Sequence, residues 1–290
     1  MASRSRRNHG SVLRVALAQV DCLLGDVGEN LARTKRMVDE AAQQGAQLIV
    51  FPELNLTGYA IGAISEDVAL PADDPTITEL ADCAGDAAVV VGFVETGPVH
   101  TYNSCLYLEG GRQVHLQRKA YLPSYGRFEE HKHFSPGQSV RAFDTRWGRA
   151  AMLICNDVWQ PPLPFLSVHD GARVLVVPAC SALDTSVGTD PGTERDWNDL
   201  LRFYARFLQI YVIFVNRVGE ESGARFWGGS RVVDPWGNDV VHAPNNEPAL
   251  VLADIELDNV RRRRHEMPLI KEARLTLLSR ELNRLIDSGT

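Results

Sequence analysis

The sequence lacks three features that would each mark a whole class of protein: long apolar runs, paired cysteines and an excess of positive charge. No run of 18 apolar residues is present, which argues against a membrane-spanning helix. The net charge of −7 argues against a nucleic-acid-binding surface. The five cysteines are widely spaced, so neither a disulfide framework nor a zinc knuckle is expected. We therefore expect a cytoplasmic protein with reduced thiols and no nucleic-acid or membrane partner.

The composition is that of an ordinary globular chain, with 44% hydrophobic and 23% charged residues. Open α/β folds often reach this length as one domain, so we predict a single domain over residues 12–257. A disordered basic arm is expected at residues 1–11 and a helical extension at residues 258–290. An apolar stripe along the predicted helix Leu269–Ile286 makes this extension a candidate contact in a homo-oligomer.

Strand and helix signals alternate along the chain. A helix predicted at Glu29–Gln44 precedes a buried-type strand at Leu48–Phe51, and a turn at residues 235–238 indicates a hairpin. Two long segments, Ala120–Ser139 and Cys180–Arg195, are typical of functional loops. Because helices that cover sheets form layers, the alternation predicts an α/β architecture of two sheets with helices outside them.

Three apolar segments each end in a residue with reactive chemistry. In chain order, these residues are Glu53, Lys119 and Cys155. Ligands of open α/β sheets bind beyond the carboxyl ends of strands, so the three side chains are expected to meet in one cleft. Taken alone, a cysteine at a strand end is usually a small buried hydrophobe. The polar residues Asn156 and Asp157, directly after Cys155, favour a cleft over a core.

An acid, an amine and a thiol together are suited to acyl transfer. The Cys155 thiolate would attack a carbonyl carbon while the Glu53 carboxylate takes the thiol proton. The Lys119 ammonium would stabilise the oxyanion of the tetrahedral intermediate. The protonated glutamate would then give its proton to the departing nitrogen, and water would hydrolyse the thioester.

Short motifs surround these three residues and extend the pattern. They are Phe51-Pro52-Glu53-Leu54, Arg118-Lys119 with Tyr121-Leu122-Pro123, and Leu153-Ile154-Cys155-Asn156-Asp157. In order and approximate spacing, they resemble the glutamate, lysine and cysteine motifs of the carbon–nitrogen hydrolase (nitrilase) superfamily. The resemblance covers about Val12 to Leu257. It implies an αββα sandwich and a Glu-Lys-Cys catalytic triad, and it implies that no metal or organic cofactor is needed.

The resemblance also implies a second glutamate in the loop after the lysine motif. Glu130 fits this position best, and Glu129 is its rival by one residue. Asn156 is predicted to assist catalysis or to position the substrate, with its backbone N–H as a second oxyanion donor. The predicted substrate-binding residues are Tyr59, Tyr125 and Asp157.

The lysine and cysteine segments most resemble the glutaminase domain of glutamine-dependent NAD synthetase, with Asn156 in place of the usual glutamate. Nitrilases proper typically carry Trp and then Glu after the cysteine, so a nitrile substrate is not expected. The sequence also has no P-loop, so we expect a stand-alone amidase that acts on a small linear amide.

Other functions remain open at this stage. An N-carbamoyl amide hydrolase would use the same triad, and so would a glutaminase subunit that supplies ammonia to a partner synthetase. A catalytically idle scaffold is disfavoured by the intact triad. A carboxylate-bearing substrate would require a cation in the cleft, and the candidates are Arg127, Arg195, Arg217 and Arg225.

Overall fold

The structure is a computed structural model that describes residues 12–60, 62, 66–124, 129–184 and 191–289. In chain order the strands are β1 (Val12–Gln19), β2 (Leu48–Val50), β3 (Ala88–Thr96), β4 (Thr101–Glu109), β5 (Arg112–Arg118), β6 (Phe143–Thr145), β7 (Gly148–Met152), β8 (Val174–Ala179), β9 (Ala182–Asp184), β10 (Tyr211–Asn216), β11 (Val218–Glu221), β12 (Ala224–Trp227), β13 (Arg231–Val233), β14 (Asp239–His242) and β15 (Ala249–Glu256). The helices are α1 (Val27–Gln43), α2 (Pro75–Ala84), α3 (Pro162–His169), α4 (Pro191–Leu208), α5 (Asp258–Glu266) and α6 (Leu275–Asp287).

The strands form two six-stranded sheets and one small sheet. The first sheet has the order β15-β1-β2-β3-β4-β5 and the second the order β14-β13-β10-β8-β7-β6. In the first sheet β1, β2 and β3 are parallel, and β5 runs in the same direction because β4 is antiparallel to both of its neighbours. In the second sheet β7, β8 and β10 are parallel. The third sheet has the order β11-β12-β9.

The two large sheets pack face to face through an apolar core. Val15 and Val50 of the first sheet pack in one cluster with Met152, Val176 and Ile213 of the second, and all five are fully buried. Burying one such side chain contributes about 1.5–3 kcal/mol to folding. Separate clusters join α1 and α2 to the first sheet and α4 to the second. The predicted αββα sandwich is therefore confirmed.

The predicted hairpin is formed by β13 and β14, whereas other boundaries differ from the sequence-based expectation. Helix α1 begins at Val27 because the Asp26 carboxylate caps it, accepting the Glu29 N–H at 3.0 Å. The segment Cys180–Arg195, predicted as a loop, contains β9 and the start of α4.

The C-terminal region also departs from the prediction of one helix at Leu269–Ile286. Helix α5 ends at Glu266, two residues before Pro268, and turns lead to α6, which begins at Leu275. The pyrrolidine ring of proline disfavours helical backbone at the residue before it, which explains why α5 ends before Pro268. No residue of α6 is buried. No helix in the described ranges is long and apolar enough to cross a membrane.

A close approach at Gly92 on β3 fixes the segment after β2. A Cβ atom at this position would lie 2.4 Å from the Leu54 nitrogen and 2.9 Å from the Pro52 carbonyl oxygen, so only glycine fits without movement. The Gly92 N–H donates to Asn55 Oδ1 at 2.8 Å. Glu53, in the middle of this segment, is therefore held at the end of the first sheet.

Candidate active site

The three residues at the strand ends come together between the two large sheets. Glu53 and Lys119 follow β2 and β5 of the first sheet, and Cys155 follows β7 of the second. Lys119 Nζ lies 2.7 Å from Glu53 Oε1, and both side chains are fully buried. The backbone N–H of Cys180 donates to Glu53 Oε2 at 2.8 Å, and the charges of Glu53 and Lys119 both act on the Cys155 thiol. The acid, the amine and the thiol thus share one polar cluster.

Hydrogen bonds from three directions hold the Glu53 carboxylate. Oε1 accepts from Lys119 Nζ and from Asn103 Nδ2, each at 2.7 Å, while Oε2 accepts from the Cys180 N–H. A buried charge is tolerated when its oxygens are satisfied in this way. The carboxylate therefore has a fixed orientation beside the thiol.

The Lys119 ammonium lies between two carboxylates. Besides Glu53, it donates to Glu130 Oε1 at 2.6 Å. Burial disfavours the charged amine, but the carboxylates of Glu130 and Glu53 outweigh this and raise the pKa of Lys119 well above its ordinary value. Lys119 therefore stays positively charged throughout the physiological pH range.

Geometry separates the two rival glutamates of the loop. Glu130 is 5% exposed, and its Oε1 accepts hydrogen bonds from Lys119 and from the Tyr59 hydroxyl. Its Oε2 is buried, with no hydrogen-bond partner among the described residues. Glu129 is exposed and pairs with Lys132 instead. Of the two, Glu130 is therefore the one that contacts Lys119, and its role as the second glutamate stays a prediction.

Cys155 has an unusual backbone conformation and a disfavoured thiolate. Its φ angle of +46° is uncommon for any residue other than glycine. Burial raises the pKa of the Cys155 thiol well above its usual value, the Glu53 carboxylate adds to this, and Lys119 offsets only part of it. The resting sulfur is therefore a protonated thiol, and a nearby base is needed to activate it.

The two residues after Cys155 connect loops from the two sheets. Asp157 is fully buried, and its carboxylate accepts the backbone N–H groups of Ala120, Tyr121 and Ile154 at 2.8 to 3.0 Å. Asn156 donates from Nδ2 to the Tyr121 carbonyl at 3.0 Å. Asp157 thus fixes the segment after Lys119 to the one before Cys155. Its role in substrate binding stays a prediction.

The open space beside the cluster has two arms that share Tyr59 and Ala182. The smaller arm, about 260 Å³, is lined by Glu130, His133, Phe134, Glu221 and Phe226, among others. The larger arm, about 480 Å³, is lined by Cys155, Asn156, Trp159, Asp196 and Trp197, among others. We refer to both arms together as the cleft. Its volume is sufficient for a small linear molecule.

The titratable residues that line the cleft in the described ranges are carboxylates, one histidine, one tyrosine and Cys155, with no lysine or arginine. Of the cation candidates, Arg217 is buried, Arg195 is exposed and pairs with Asp196, and Arg225 does not line either arm. Arg127 and the predicted substrate-binding Tyr125 lie outside the described residues. Within those residues no cluster of three metal-ligating side chains is present.

Comparison with known proteins identifies the family of the chain. The sequence model of the carbon–nitrogen hydrolase family matches residues 14–265. The chain belongs to the carbon–nitrogen hydrolase family. The enzyme class follows from this membership and from amidase relatives: the protein is a hydrolase of carbon–nitrogen bonds other than peptide bonds.

Relatives of this carbon–nitrogen hydrolase differ in length. The N-carbamoylputrescine amidase of Solanum lycopersicum is 28% identical, and the match covers 94% of each chain. The glutamine-dependent NAD(+) synthetase of Thermotoga maritima is 30% identical over 85% of this chain but only 42% of that protein. The chain thus spans less than half of the synthetase.

A solved relative shares the fold. The amidase from Nesterenkonia sp. AN1, captured with the acetamide moiety of fluoroacetamide added covalently at its active-site cysteine, has a TM-score of 0.77 at 25% identity. The alignment covers 92% of this chain and 96% of that one. The αββα sandwich is therefore the fold of a nitrilase-superfamily amidase.

The buried carboxylate of Asp157 gives a testable pH dependence of stability. Burial raises its pKa from 3.8 to about 7, although three backbone N–H groups oppose the shift. Between those values the folded protein binds a proton that the unfolded chain releases. The free energy of unfolding should therefore fall by about 1.4 kcal/mol per pH unit as the pH rises through that window.

Urea unfolding of the wild type and of Asp157→Asn at several pH values measures this slope. The slope should be shallower in Asp157→Asn, because an amide does not titrate. Asp144→Asn, at a side chain that is 83% exposed, is the matched control and should keep the wild-type slope. Equal slopes in all three proteins would contradict the assignment.

Proposed function

We propose that the protein hydrolyses a small linear amide through a covalent thioester on Cys155, with Glu53 and Lys119 completing a catalytic triad. The observation that carries this proposal is the buried cluster in which Lys119 Nζ lies 2.7 Å from Glu53 Oε1, while both charged groups act on the thiol of Cys155, which lines the cleft. A fixed acid, a fixed cation and a thiol at the wall of an open cleft are the parts that acyl transfer needs.

In the first half-reaction, Glu53 takes the proton of the Cys155 thiol while the sulfur attacks the carbonyl carbon. The negative charge then moves to the carbonyl oxygen, where the Lys119 ammonium and the backbone N–H of Asn156 stabilise it. The protonated Glu53 gives its proton to the nitrogen, the carbon–nitrogen bond breaks, and ammonia or an amine leaves. Cys155 is left as a thioester.

In the second half-reaction, Glu53 takes a proton from water, and the resulting hydroxide attacks the thioester carbonyl. The carbon–sulfur bond then breaks, and the sulfur recovers its proton from Glu53. The product is a carboxylic acid, or a carbamic acid when the substrate is a carbamoyl compound. One amide and one water thus give one acid and one ammonia or amine.

Glu130 is assigned the role of holding the substrate nitrogen. Its Oε2 is the buried acceptor that lacks a partner among the described residues, and Glu130 lines the cleft. An amide N–H₂ group would satisfy this oxygen and turn the nitrogen towards Glu53. Tyr59 supports this arrangement by donating its hydroxyl to the other oxygen of Glu130.

The alternative substrate class, an N-carbamoyl amide, has specific support in the full-length match to N-carbamoylputrescine amidase. A glutaminase that supplies ammonia to a partner synthetase is the other alternative, and the partial match to NAD(+) synthetase supports it. Ammonia release measured across matched amides and carbamoyl compounds distinguishes a linear amide substrate from an N-carbamoyl substrate. Co-purification with a synthetase would favour the glutaminase role. A cytoplasmic location remains a prediction.

We predict that Cys155→Ala loses all turnover and that Glu53→Gln slows both half-reactions by about 10²–10⁴-fold, because the glutamine is isosteric but cannot carry the proton. Lys119→Ala should cost at least about 10²-fold through loss of an oxyanion donor. Ammonia release and rapid-quench mass spectrometry of the acyl-enzyme measure these effects.

Cys83→Ala is the control for the cysteine change, because Cys83 lies on α2, away from the cleft. It should keep wild-type turnover, and iodoacetamide should abolish turnover only by labelling Cys155. Full activity in Cys155→Ala would refute the proposed mechanism. Hydrolysis of the acyl-enzyme at the wild-type rate in Glu53→Gln would refute the double proton role alone.

A second prediction concerns the charge of the substrate tail. Because the described lining of the cleft includes carboxylates but no lysine or arginine, an amide with an ammonium tail should have kcat/KM at least about 10-fold above that of a carboxylate-tailed amide of equal length. Initial rates with the two amides, and with the matching pair of carbamoyl compounds, test this. Arg127→Ala should leave the preference unchanged. A preference for the carboxylate would contradict the prediction.

We also propose that the chain forms a homo-oligomer through α6. Its exposed apolar side chains include Leu275, Leu278, Leu282 and Leu285. Light scattering at micromolar concentration should give at least twice the 32.1 kDa of one chain. Leu282→Asp should lower the mass, whereas Arg280→Asp, at an exposed charged position, should not. A mass of one chain for the wild type would contradict this proposal.

A further inference from the structure

A buried ion pair outside the triad lies beneath the segment that carries Tyr59. Arg217 and Glu221 are 1% and 7% exposed. Arg217 Nη1 donates to Glu221 Oε2 at 2.6 Å. Arg217 Nη2 donates to the Cys22 carbonyl at 2.7 Å and to Asp21 Oδ1 at 3.2 Å. The Arg217 side chain is thus fixed at its far end, and it in turn fixes one oxygen of Glu221.

The other oxygen of Glu221 binds the backbone of the Tyr59 segment. Glu221 Oε1 accepts the N–H of Tyr59 at 2.9 Å and the N–H of Ala60 at 2.5 Å. Gly58 allows this approach, because a Cβ atom there would lie 2.9 Å from Glu221 Oε2 and the φ angle is +80°. Hydrogen bonds to an ionised acceptor are about twice as strong as neutral ones. Glu221 therefore fixes the backbone position of Tyr59.

The same hairpin of β11 and β12 also contacts the Tyr59 ring. Phe226 on β12 packs edge-to-face against Tyr59 with ring centroids 6.1 Å apart. The Arg217 guanidinium in turn lies over the Phe226 ring, 4.6 Å from its centroid. The hairpin thus holds both the backbone and the ring of Tyr59. The Tyr59 hydroxyl donates to Glu130 Oε1, the oxygen that also accepts from Lys119.

We propose that Glu221, held by Arg217, is a positioning residue for the reaction. It acts through the Tyr59 hydroxyl on Glu130 and Lys119, without touching the substrate's reacting atoms. This inference rests on the proposed function, since the position of Lys119 and Glu130 affects turnover only if they act on the amide. This positioning role gives the small third sheet a function, because that sheet places the β11–β12 hairpin against the loop that follows β2.

The expected consequence of losing this contact is a loss of turnover without unfolding. Glu221→Gln keeps the shape of the side chain but replaces the ionised acceptor and leaves Tyr59 less restrained. Displacement of catalytic groups by about 1 Å costs up to 10²-fold, so kcat/KM should fall about 10- to 100-fold. Glu220→Gln is the matched control, because Glu220 is the exposed neighbour and should keep wild-type kcat/KM.

A pH profile distinguishes positioning from general stability. Burial raises the pKa of Glu130, while Lys119 and the hydrogen bond from Tyr59 lower it. The other titratable groups facing Glu130 are Glu53, Cys155, Glu129 and His133. When the Tyr59 hydroxyl is displaced, the pKa of Glu130 should rise. The acid limb of kcat/KM should then move to higher pH in both Glu221→Gln and Tyr59→Phe.

A double-mutant cycle completes the test. If Glu221 acts through Tyr59, the combined variant Glu221→Gln/Tyr59→Phe should lose little more kcat/KM than Tyr59→Phe alone. Fully additive losses, or wild-type kcat/KM in folded Glu221→Gln, would overturn the inference. If Glu221→Gln fails to fold because Arg217 is left buried without its partner, Glu221→Asp keeps the charge but withdraws the carboxylate, and the same cycle applies.

The proposed function is checked in the same series by wild-type ammonia release and by its loss in Cys155→Ala. If the wild type releases no ammonia from any amide or carbamoyl compound, the proposed function fails. If the wild type is active and dependent on Cys155 but the Glu221 variants behave additively, only the positioning role fails.

Discussion

The buried Lys119 ammonium, shared by the carboxylates of Glu53 and Glu130, is the interaction on which the rest of the structure depends. Removing one partner from a buried ion pair typically costs about 3–5 kcal/mol, because a charge is left without compensation. Further donors support both carboxylates: Asn103 and the Cys180 backbone donate to Glu53, and Tyr59 donates to the same Glu130 oxygen that Lys119 binds. Loss of any of these donors would leave the buried charges less well compensated, so the candidate site depends on the whole set of contacts.

The sandwich architecture makes the distance between acid and thiol a property of the core. Glu53 and Lys119 follow strands of the first sheet, and Cys155 follows a strand of the second. The apolar side chains packed between the sheets therefore set the distance between these residues. Interiors are packed at nearly crystalline density, so they resist small displacements. Asp157 adds a direct connection across this interface, binding backbone groups from both sides. A change in the core far from the cleft can therefore alter the reaction geometry.

The sequence was most informative where one strand carries both a burial pattern and a reactive end. The apolar segments before Glu53, Lys119 and Cys155 predicted both the sheets and the convergence of these side chains, and flanking motifs placed Glu130 ahead of Glu129. The contacts of Glu221 could not be predicted in this way. It is the last residue of a short strand of sequence VGEE that has no apolar alternation, and it accepts a hydrogen bond from Tyr59, 162 residues away in the sequence. Such pairings are fixed by tertiary packing, which local patterns do not encode.

Charge balance within the buried cluster limits how the thiol can be activated. With both carboxylates ionised, Glu53, Lys119 and Glu130 carry one excess negative charge. Losing the Cys155 proton to solvent would add a second one in a region where burial already disfavours the thiolate. Transfer of the proton from Cys155 to Glu53 leaves the net charge of the cluster unchanged. Activation by this internal transfer therefore avoids the cost of burying a second negative charge. The departing ammonia carries the same proton out of the cluster, and water restores one when the thioester is hydrolysed. A glutamate fixed by three donors beside a neutral thiol is suited to this cycle.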